Sequence, residues 1–236
     1  MLESTTTEHK YHYDHNLERQ KKSWAVFLLS LSLLLFIFTF VGLTTEFSER
    51  INEFLIDQLG YTNKWSTSFG PDWFLHINNN FSSLGSAPII LCFLIIAAGY
   101  YKIRKQRKRF SKFLSIVIGG GIIMQILKIF FAEELPYEPI KFLTTTVSAF
   151  PSGHTMMATI YYLTLAVFIT RWQSKKKVRS FTLITTSSLI FLIAASRILS
   201  GAHTFTEVLA GWSAGMAWLC FCWMLERYVK KNRNMV

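Results

Sequence analysis

Six long apolar runs, separated by polar segments, constrain the fold of this chain more than any other feature of its sequence. The first run, residues 24–43, would extend about 30 Å as an α-helix at about 1.5 Å per residue, which matches the hydrocarbon core of a bilayer. In that core every backbone polar group must be hydrogen-bonded within the protein, and a helix meets this requirement by itself. The sequence therefore predicts an all-α integral membrane bundle of six helices. The remaining runs are 84–101, 113–131, 155–170, 181–195 and 208–225.

The same runs predict the domain organisation. Residues 24–225 are expected to form one membrane domain between two basic tails, 1–23 and 226–236. No small-residue cleavage site follows the first run, so we interpret it as a retained anchor and not as a removed signal peptide. In the long polar segment after it, 47–59 and 71–81 carry apolar and aromatic residues typical of short helices at a membrane surface. An irregular loop is the alternative for these two segments.

The basic residues predict how the helices are oriented in the membrane. The net charge is +11, but Lys and Arg fall in short clusters between apolar runs, which is typical of membrane topology and not of nucleic-acid binding. Segment 102–112 holds seven basic residues and segment 171–179 holds five. The positive-inside rule places these segments and both tails in the cytoplasm. We therefore expect a multi-pass protein of the cytoplasmic (inner) membrane with both termini inside.

The cysteines give no support to metal or disulfide chemistry. Cys92, Cys220 and Cys222 all lie inside apolar runs. Their spacing fits neither a metal site shared with histidine nor a disulfide framework. We interpret them as core residues.

The predicted topology brings several polar and ionisable residues to the outer end of the bundle. Ionisable groups at the ends of membrane helices are costly unless they are paired or functional. The turn at 150–154 opens the fourth helix, and the N-terminus of a helix favours an anion. Spans chosen only from apolar runs and charge clusters place all of these residues on one side, which favours a shared function. The group consists of Lys128, Ser152, Gly153, His154, Ser196, Arg197, His203 and Glu207.

Part of this group is suited to holding a phosphoryl group. Lys128 and Arg197 supply positive charge. Ser152 and the backbone around Gly153 supply neutral donors, and the fourth helix adds its dipole. Together they would stabilise charge that develops on the phosphoryl oxygens. No metal and no other cofactor is required, because the basic residues provide the positive charge.

The two histidines can divide the covalent chemistry between them. Glu207 lies four residues after His203, within reach across one helical turn. Such a carboxylate would set the tautomer of His203 and leave the other ring nitrogen free to attack phosphorus. His154 can protonate the departing alkoxide and later activate water.

Three segments of the chain resemble the signature motifs of the type 2 phosphatidic acid phosphatase superfamily. They are Lys128 followed by Leu135-Pro136, then Pro151-Ser152-Gly153-His154, and finally Ser196-Arg197-x5-His203-x3-Glu207. The six-span layout also resembles that of the bacterial membrane members. The resemblance implies a metal-independent lipid phosphatase that forms a phosphohistidine on His203. It further implies that Lys128, Ser152, Gly153 and Arg197 bind phosphate, that His154 is the general acid and that Glu207 orients His203.

Two residues depart from the family pattern. Leu135 stands where the family has arginine, and Glu207 stands where it has aspartate. A lost charge-assisted hydrogen bond costs about 1.5–3 kcal/mol, on the order of tenfold to a hundredfold in rate. Three hypotheses therefore stay open: a lipid phosphatase, a lipid-to-lipid phosphotransferase and a degenerate binder of lipid phosphate. By resemblance, the candidate substrates are phosphatidylglycerol phosphate, polyprenyl diphosphate, phosphatidic acid and the lipid A 1-phosphate.

Cysteine labelling tests the predicted orientation. Single cysteines placed near Lys64 and Lys141 should react with an impermeant thiol reagent in intact cells, because this topology puts both positions outside. A cysteine near Lys176 should react only after the membrane is opened. The three native cysteines are replaced beforehand. The opposite labelling pattern would invert the side on which the candidate site lies.

Overall fold

The structure, a computed structural model, describes residues 2–43, 71–134, 150–171 and 173–233, together with the single positions 50 and 54. Within these residues there are seven α-helices and no strand, which confirms the all-α prediction. The helices are α1 (Leu2–Leu43), α2 (Asp72–Leu84), α3 (Ala87–Ile103), α4 (Arg107–Glu134), α5 (Gly153–Thr170), α6 (Lys176–Leu199) and α7 (Phe205–Arg233).

The described residues contain five clear candidate spans, or six if a bent helix pair is counted as one, against the six predicted. Five helices are long and apolar enough to cross a membrane, namely α1 and α4 to α7. The predicted run 84–101 corresponds to α3, which has only 17 residues. Helix α2 precedes it at a bend of 50°, and the pair gives a sixth span if it is counted as one. The bend falls where Gly85 and Ser86 interrupt the helix and Pro88 opens the next one.

Other predicted boundaries shift because helices extend beyond their apolar residues. The short helix predicted at 71–81 is present as α2, whereas 47–59 lies outside the described residues apart from Arg50 and Phe54. Helices α1 and α7 continue through residues 23 and 226. The two basic tails therefore differ from the membrane domain in composition, while the helical backbone runs on through both boundaries.

Helix α5 is the centre of the bundle. Of the residues in its candidate membrane span, 61% are buried, whereas the buried share is 11% in α1 and 17% in both α4 and α6. It packs against α4, α6 and α7, while α1 packs along α7 and α2 lies on α6. The largest buried side chains around α5 include Phe113, Tyr161 and Ile193. The site residues at the start of α5 are thus attached to the most enclosed element of the protein.

Two glycines of α7 allow it to approach α5 closely. A Cβ atom on Gly211 would lie 2.5 Å from the backbone oxygen of Ser152, and a Cβ on Gly215 would lie 2.9 Å from the Cβ of Thr159. Real Cβ atoms do not approach so closely, so only glycine fits at this spacing. Small residues at such crossings are a general feature of helix packing in membranes.

At the opposite end of the bundle, one carboxylate joins three helices. Glu226 of α7 forms ion pairs with Lys112 of α4, with Lys230 at 2.9 Å and with Arg171 at 3.6 Å. Arg171 directly follows α5, and the Glu226 side chain is only 16% exposed. This acidic residue therefore neutralises part of the basic cluster where α4, α5 and α7 meet.

Substituting Gly211 tests the close approach of α5 and α7. Gly211→Ala should lower stability by about 1–3 kcal/mol, the usual cost of overpacking, because its Cβ would meet backbone that cannot swing aside. Gly99→Ala is the matched control, since nothing lies within 4 Å of the Cβ it would add. The midpoint of thermal unfolding in detergent is measured for both. Equal midpoints would contradict the described crossing.

Candidate active site

The start of α5 is buried against α7. Ser152, the residue before the helix, is fully buried, and its N–H donates to the carbonyl oxygen of Glu207 at 3.0 Å. The Ser152 oxygen in turn accepts the first helical hydrogen bond, from Met156 at 3.0 Å. The Ser152 side chain makes no capping bond to the first turn and instead accepts a bond from Thr155 Oγ1 at 3.2 Å. The N–H groups of this turn therefore keep their capacity to bind an anion.

Lys128 of α4 lies beside the first turn of α5. A Cβ atom on Gly153 would lie 3.2 Å from Lys128 Cε and 4.0 Å from its Nζ. Glycine at this position therefore leaves room for the lysine to reach the helix N-terminus. The ammonium group and the dipole of α5 then act on the same region, which favours a bound anion.

The first turn of α7 is a capping box. The Glu207 N–H donates to Thr204 Oγ1 at 3.3 Å, and the Glu207 Oε2 accepts from the Thr204 N–H at 3.1 Å. Reciprocal bonds of this kind are the signature of the pattern Thr-x-x-Glu. Each of the two N–H groups, otherwise unpaired at a helix start, donates to the side chain of the other residue. Glu207 therefore has a structural role that is independent of any chemistry.

The same carboxylate oxygen also binds His203. Oε2 of Glu207 lies 2.8 Å from Nδ1 of His203, and the two side chains are 8% and 10% exposed. A neutral imidazole that donates through Nδ1 to this carboxylate keeps its lone pair on Nε2. Glutamate in place of the family's aspartate therefore still reaches the histidine at an ordinary hydrogen-bond length. It does so while completing the capping box, for which glutamate is the favoured residue.

Arg197 is held at the end of α6 by contacts on two sides. Its backbone oxygen accepts from the His203 N–H at 3.1 Å, and its Nη1 donates to Ser82 Oγ of α2 at 2.5 Å. Asn78, one turn earlier on α2, donates to the carbonyl oxygen of Ser196 at 3.1 Å. The Arg197 Nε is buried and has no hydrogen-bond partner in the described part of the chain. A guanidinium with a buried, unused donor is well suited to complete its bonds with an anion.

These elements bring all eight residues of the predicted group to one end of the bundle. His154 lies within electrostatic range of Lys128, Arg197 and His203. Lys128 lies within range of Arg197 and Glu207. The arrangement places the start of α5, two cationic side chains and two histidines at the same end of the bundle. Among the described residues no group of three or more His, Cys, Asp and Glu side chains is arranged to hold a metal.

Three residues at the site were not predicted from the sequence. Thr204 could have been found, because Thr-x-x-Glu before an apolar run is a recognisable helix start. Ser82 and Asn78 had no such signal, since their partners lie more than a hundred positions away in the chain. Leu135, the main departure from the family pattern, lies outside the described residues.

Comparison with known protein sequences finds relatives whose names refer to phosphatases. The chain is 27% identical over 169 residues to phosphatidylglycerophosphatase B of Bacillus subtilis, covering 69% of this chain and 80% of that protein. It is 31% identical over 118 residues to a PA-phosphatase related-family protein of Dictyostelium discoideum. That match covers 47% of this chain and 34% of the relative.

A solved structure has the same fold. It is the crystal structure of a transmembrane PAP2 type phosphatidylglycerolphosphate phosphatase from Bacillus subtilis, with a TM-score of 0.68 and 20% sequence identity. The match covers 87% of this chain and 96% of that one. The chain is thus a multi-pass membrane protein of this architecture. The family model described as PAP2 superfamily matches residues 109–231, more than half of the sequence, and the chain therefore belongs to the PAP2 superfamily.

Proposed function

We propose that this protein is a membrane lipid phosphatase that transfers the phosphate of its substrate first to His203 and then to water. The observation that carries the proposal is the 2.8 Å hydrogen bond between His203 Nδ1 and Glu207 Oε2, which leaves Nε2 as a nucleophile. Family membership and the names of the relatives support hydrolysis of a lipid phosphate.

The phosphate group is proposed to bind between the start of α5 and two cations. Lys128 lies beside Gly153, and Arg197 keeps a buried Nε–H without a partner in the described part of the chain. Ser152 and the N–H groups of the first turn add neutral donors. Preorganised donors and cations stabilise the charge that spreads over the phosphoryl oxygens in the transition state.

In the first step, the lone pair of His203 Nε2 attacks phosphorus, and the bond from phosphorus to the lipid oxygen breaks. The electron pair of that bond goes to the lipid oxygen, which takes a proton from His154. The phosphorylated imidazole retains the Nδ1 proton and so carries positive charge on the ring. The buried Glu207 carboxylate stabilises that charge through its hydrogen bond to Nδ1.

In the second step, water attacks the same phosphorus atom and the P–N bond breaks. His154, now without its proton, accepts one from the water. The electron pair of the broken bond returns to Nε2 of His203. Inorganic phosphate leaves, and both histidines are restored for the next cycle.

The finer features of the activity belong to the same proposal. We assign the site to the outer side of the cytoplasmic membrane, since the basic clusters lie at the other end of the bundle. Phosphatidylglycerol phosphate is the substrate to test first, because the relative that shares the larger part of this chain is a phosphatidylglycerophosphatase. Metal-independent turnover is expected, because Lys128 and Arg197 provide the positive charge.

Hydrolysis by purified protein tests the proposal directly. Phosphate release in EDTA is measured with phosphatidylglycerol phosphate, phosphatidic acid, a polyprenyl diphosphate and lipid A 1-phosphate. The parent should release phosphate from at least one lipid, and His203→Ala should release none. His154→Ala should be slower by about 10²–10⁴-fold, the usual contribution of general acid–base catalysis, and should accumulate labelled protein after an alkaline quench. His76→Ala, an exposed histidine of α2, is the control and should match the parent.

A non-catalytic binder of lipid phosphate is the second candidate function, and Leu135 is the observation that favours it. An arginine lost from the family pattern weakens phosphate binding and transition-state stabilisation together. The binder predicts lipid-phosphate binding without phosphate release in the parent. Turnover that survives in His203→Ala would sink the covalent mechanism, whichever lipid is used.

Two substitutions at Glu207 separate its capping role from its effect on His203. Glu207→Gln should keep the capping box and the thermal midpoint, because glutamine also serves at this position. Its rate should fall by about tenfold to a hundredfold through loss of the carboxylate charge. Glu207→Asp is one methylene shorter and should lose both rate and stability.

Thr204→Ala is the matched control for the Glu207 variants. It removes the Oγ1 that caps α7, at a cost of about 1 kcal/mol in stability, but keeps the bond between Glu207 and His203. Its kcat should therefore stay closer to the parent than that of Glu207→Gln. A Glu207→Asp protein as active and stable as the parent would contradict the geometry described for this carboxylate.

A further inference from the structure

Helix α2, just before its bend into α3, contacts the candidate site through residues that belong to none of the three motifs. Two side chains of α2 bond to the end of α6: Ser82 Oγ accepts from Arg197 Nη1, and Asn78 Nδ2 donates to the Ser196 oxygen. Asn78 and Ser82 are 5% and 6% exposed. Their spacing of four residues puts them on one face of the helix, the face that packs on α6.

The bond from Ser82 occupies one edge of the Arg197 guanidinium. Nη1 lies on the side of the group away from the Nε–H, while Nη2 and Nε share the other edge. With Nη1 bound at 2.5 Å, the Nε edge remains for an anion. Two parallel N–H donors on that edge match the spacing of two phosphate oxygens. The buried Nε, unpaired among the described residues, lies on this edge.

The Asn78 contact acts on the backbone of the same helix end. The Ser196 oxygen accepts both the Asn78 amide and the Ser200 N–H, at 3.1 and 3.0 Å. The Ser196 hydroxyl is used within the helix, on the Ile193 oxygen at 2.7 Å. The last turn of α6, which carries Arg197, is therefore held from the α2 side through a main-chain atom.

The bend is itself anchored on α5, close to His154. Tyr162 of α5 donates its hydroxyl to the Leu84 oxygen at 2.8 Å. A Cβ on Gly85 would lie 2.8 Å from Ile193 Cγ2 and 3.2 Å from the backbone oxygen of His154. Helix α2 is thus positioned relative to both α5 and α6, so it can hold Arg197 in register with the start of α5.

We propose that Ser82 and Asn78 are positioning residues for Arg197, with Ser82 orienting the guanidinium and Asn78 holding the helix end that carries it. This inference rests on the proposed function in assigning Arg197 to the substrate phosphate. Both residues are assigned to act through Arg197 and not on the substrate itself.

The test uses the full-length protein and compares neighbouring serines. Ser82→Ala removes the acceptor for Nη1 and should lower kcat/KM by about tenfold, because a charge-assisted hydrogen bond is lost. Ser83→Ala is the control: its exposed hydroxyl bonds to the Asn79 oxygen, one turn back on α2. Both variants should unfold at similar temperatures. Ser82→Thr, which keeps a hydroxyl, should recover part of the lost activity.

A double-mutant cycle separates positioning from a general structural effect. Arg197→Lys keeps the charge but cannot be held by Ser82 in the same planar geometry. If Ser82 acts through Arg197, adding Ser82→Ala to Arg197→Lys should cause little further loss. Equal fold losses of kcat/KM in the two backgrounds would overturn the inference, since independent sites are additive.

Stabilisation by orthovanadate, a phosphate analogue, distinguishes failure of this inference from failure of the proposed function. The rise in unfolding midpoint on adding orthovanadate should be smaller in Ser82→Ala and Asn78→Ala than in Ser83→Ala. If the variants show this order of stabilisation while the parent does not hydrolyse lipid, the proposed phosphatase function is overturned and the positioning role stands. A parent that hydrolyses lipid while Ser82→Ala matches Ser83→Ala in both assays would overturn the positioning role alone. No stabilisation and no hydrolysis in the parent would overturn both.

Discussion

The hydrogen bond from the Ser152 N–H to the Glu207 carbonyl joins the two helix starts on which the candidate site depends. It connects main-chain atoms, so it is indifferent to the side chains at both positions. Gly211 permits it, because any larger residue would meet the Ser152 oxygen. With the backbone held in this way, the side chain at 207 can lengthen from the family's aspartate to glutamate and still reach His203.

Much of the fold could be predicted from the sequence because a bilayer imposes a length on apolar helices. The same regularity places successive helix ends on alternate sides, which is why Lys128, His154, Arg197 and His203 were expected to meet. The broken second span was not predicted, although Gly85 and Pro88 stand at the break. Counting apolar residues treats a run as continuous, whereas helix continuity depends on backbone conformation and on the proline.

The part of the site formed by α2 could not have been predicted. Its sequence is that of a short surface helix, and no local pattern relates Ser82 to an arginine more than a hundred positions later. The capping role of Glu207 differs, because its signal is local and was present in Thr-x-x-Glu. Glu207 both caps α7 and bonds to His203. Because either role alone would explain the residue, the sequence led to only one of them.

The ion pairs at the opposite end of the bundle make Glu226 harder to replace than any one of its basic partners. Three cations, from α4, from α7 and from the segment after α5, share the single carboxylate of Glu226. Each cation is one of three, so losing one leaves two to neutralise the acid. The carboxylate is shared, and without it three neighbouring positive charges would repel one another across three helices. Substitution at this end of the bundle should therefore be tolerated better at each basic partner than at the acidic residue.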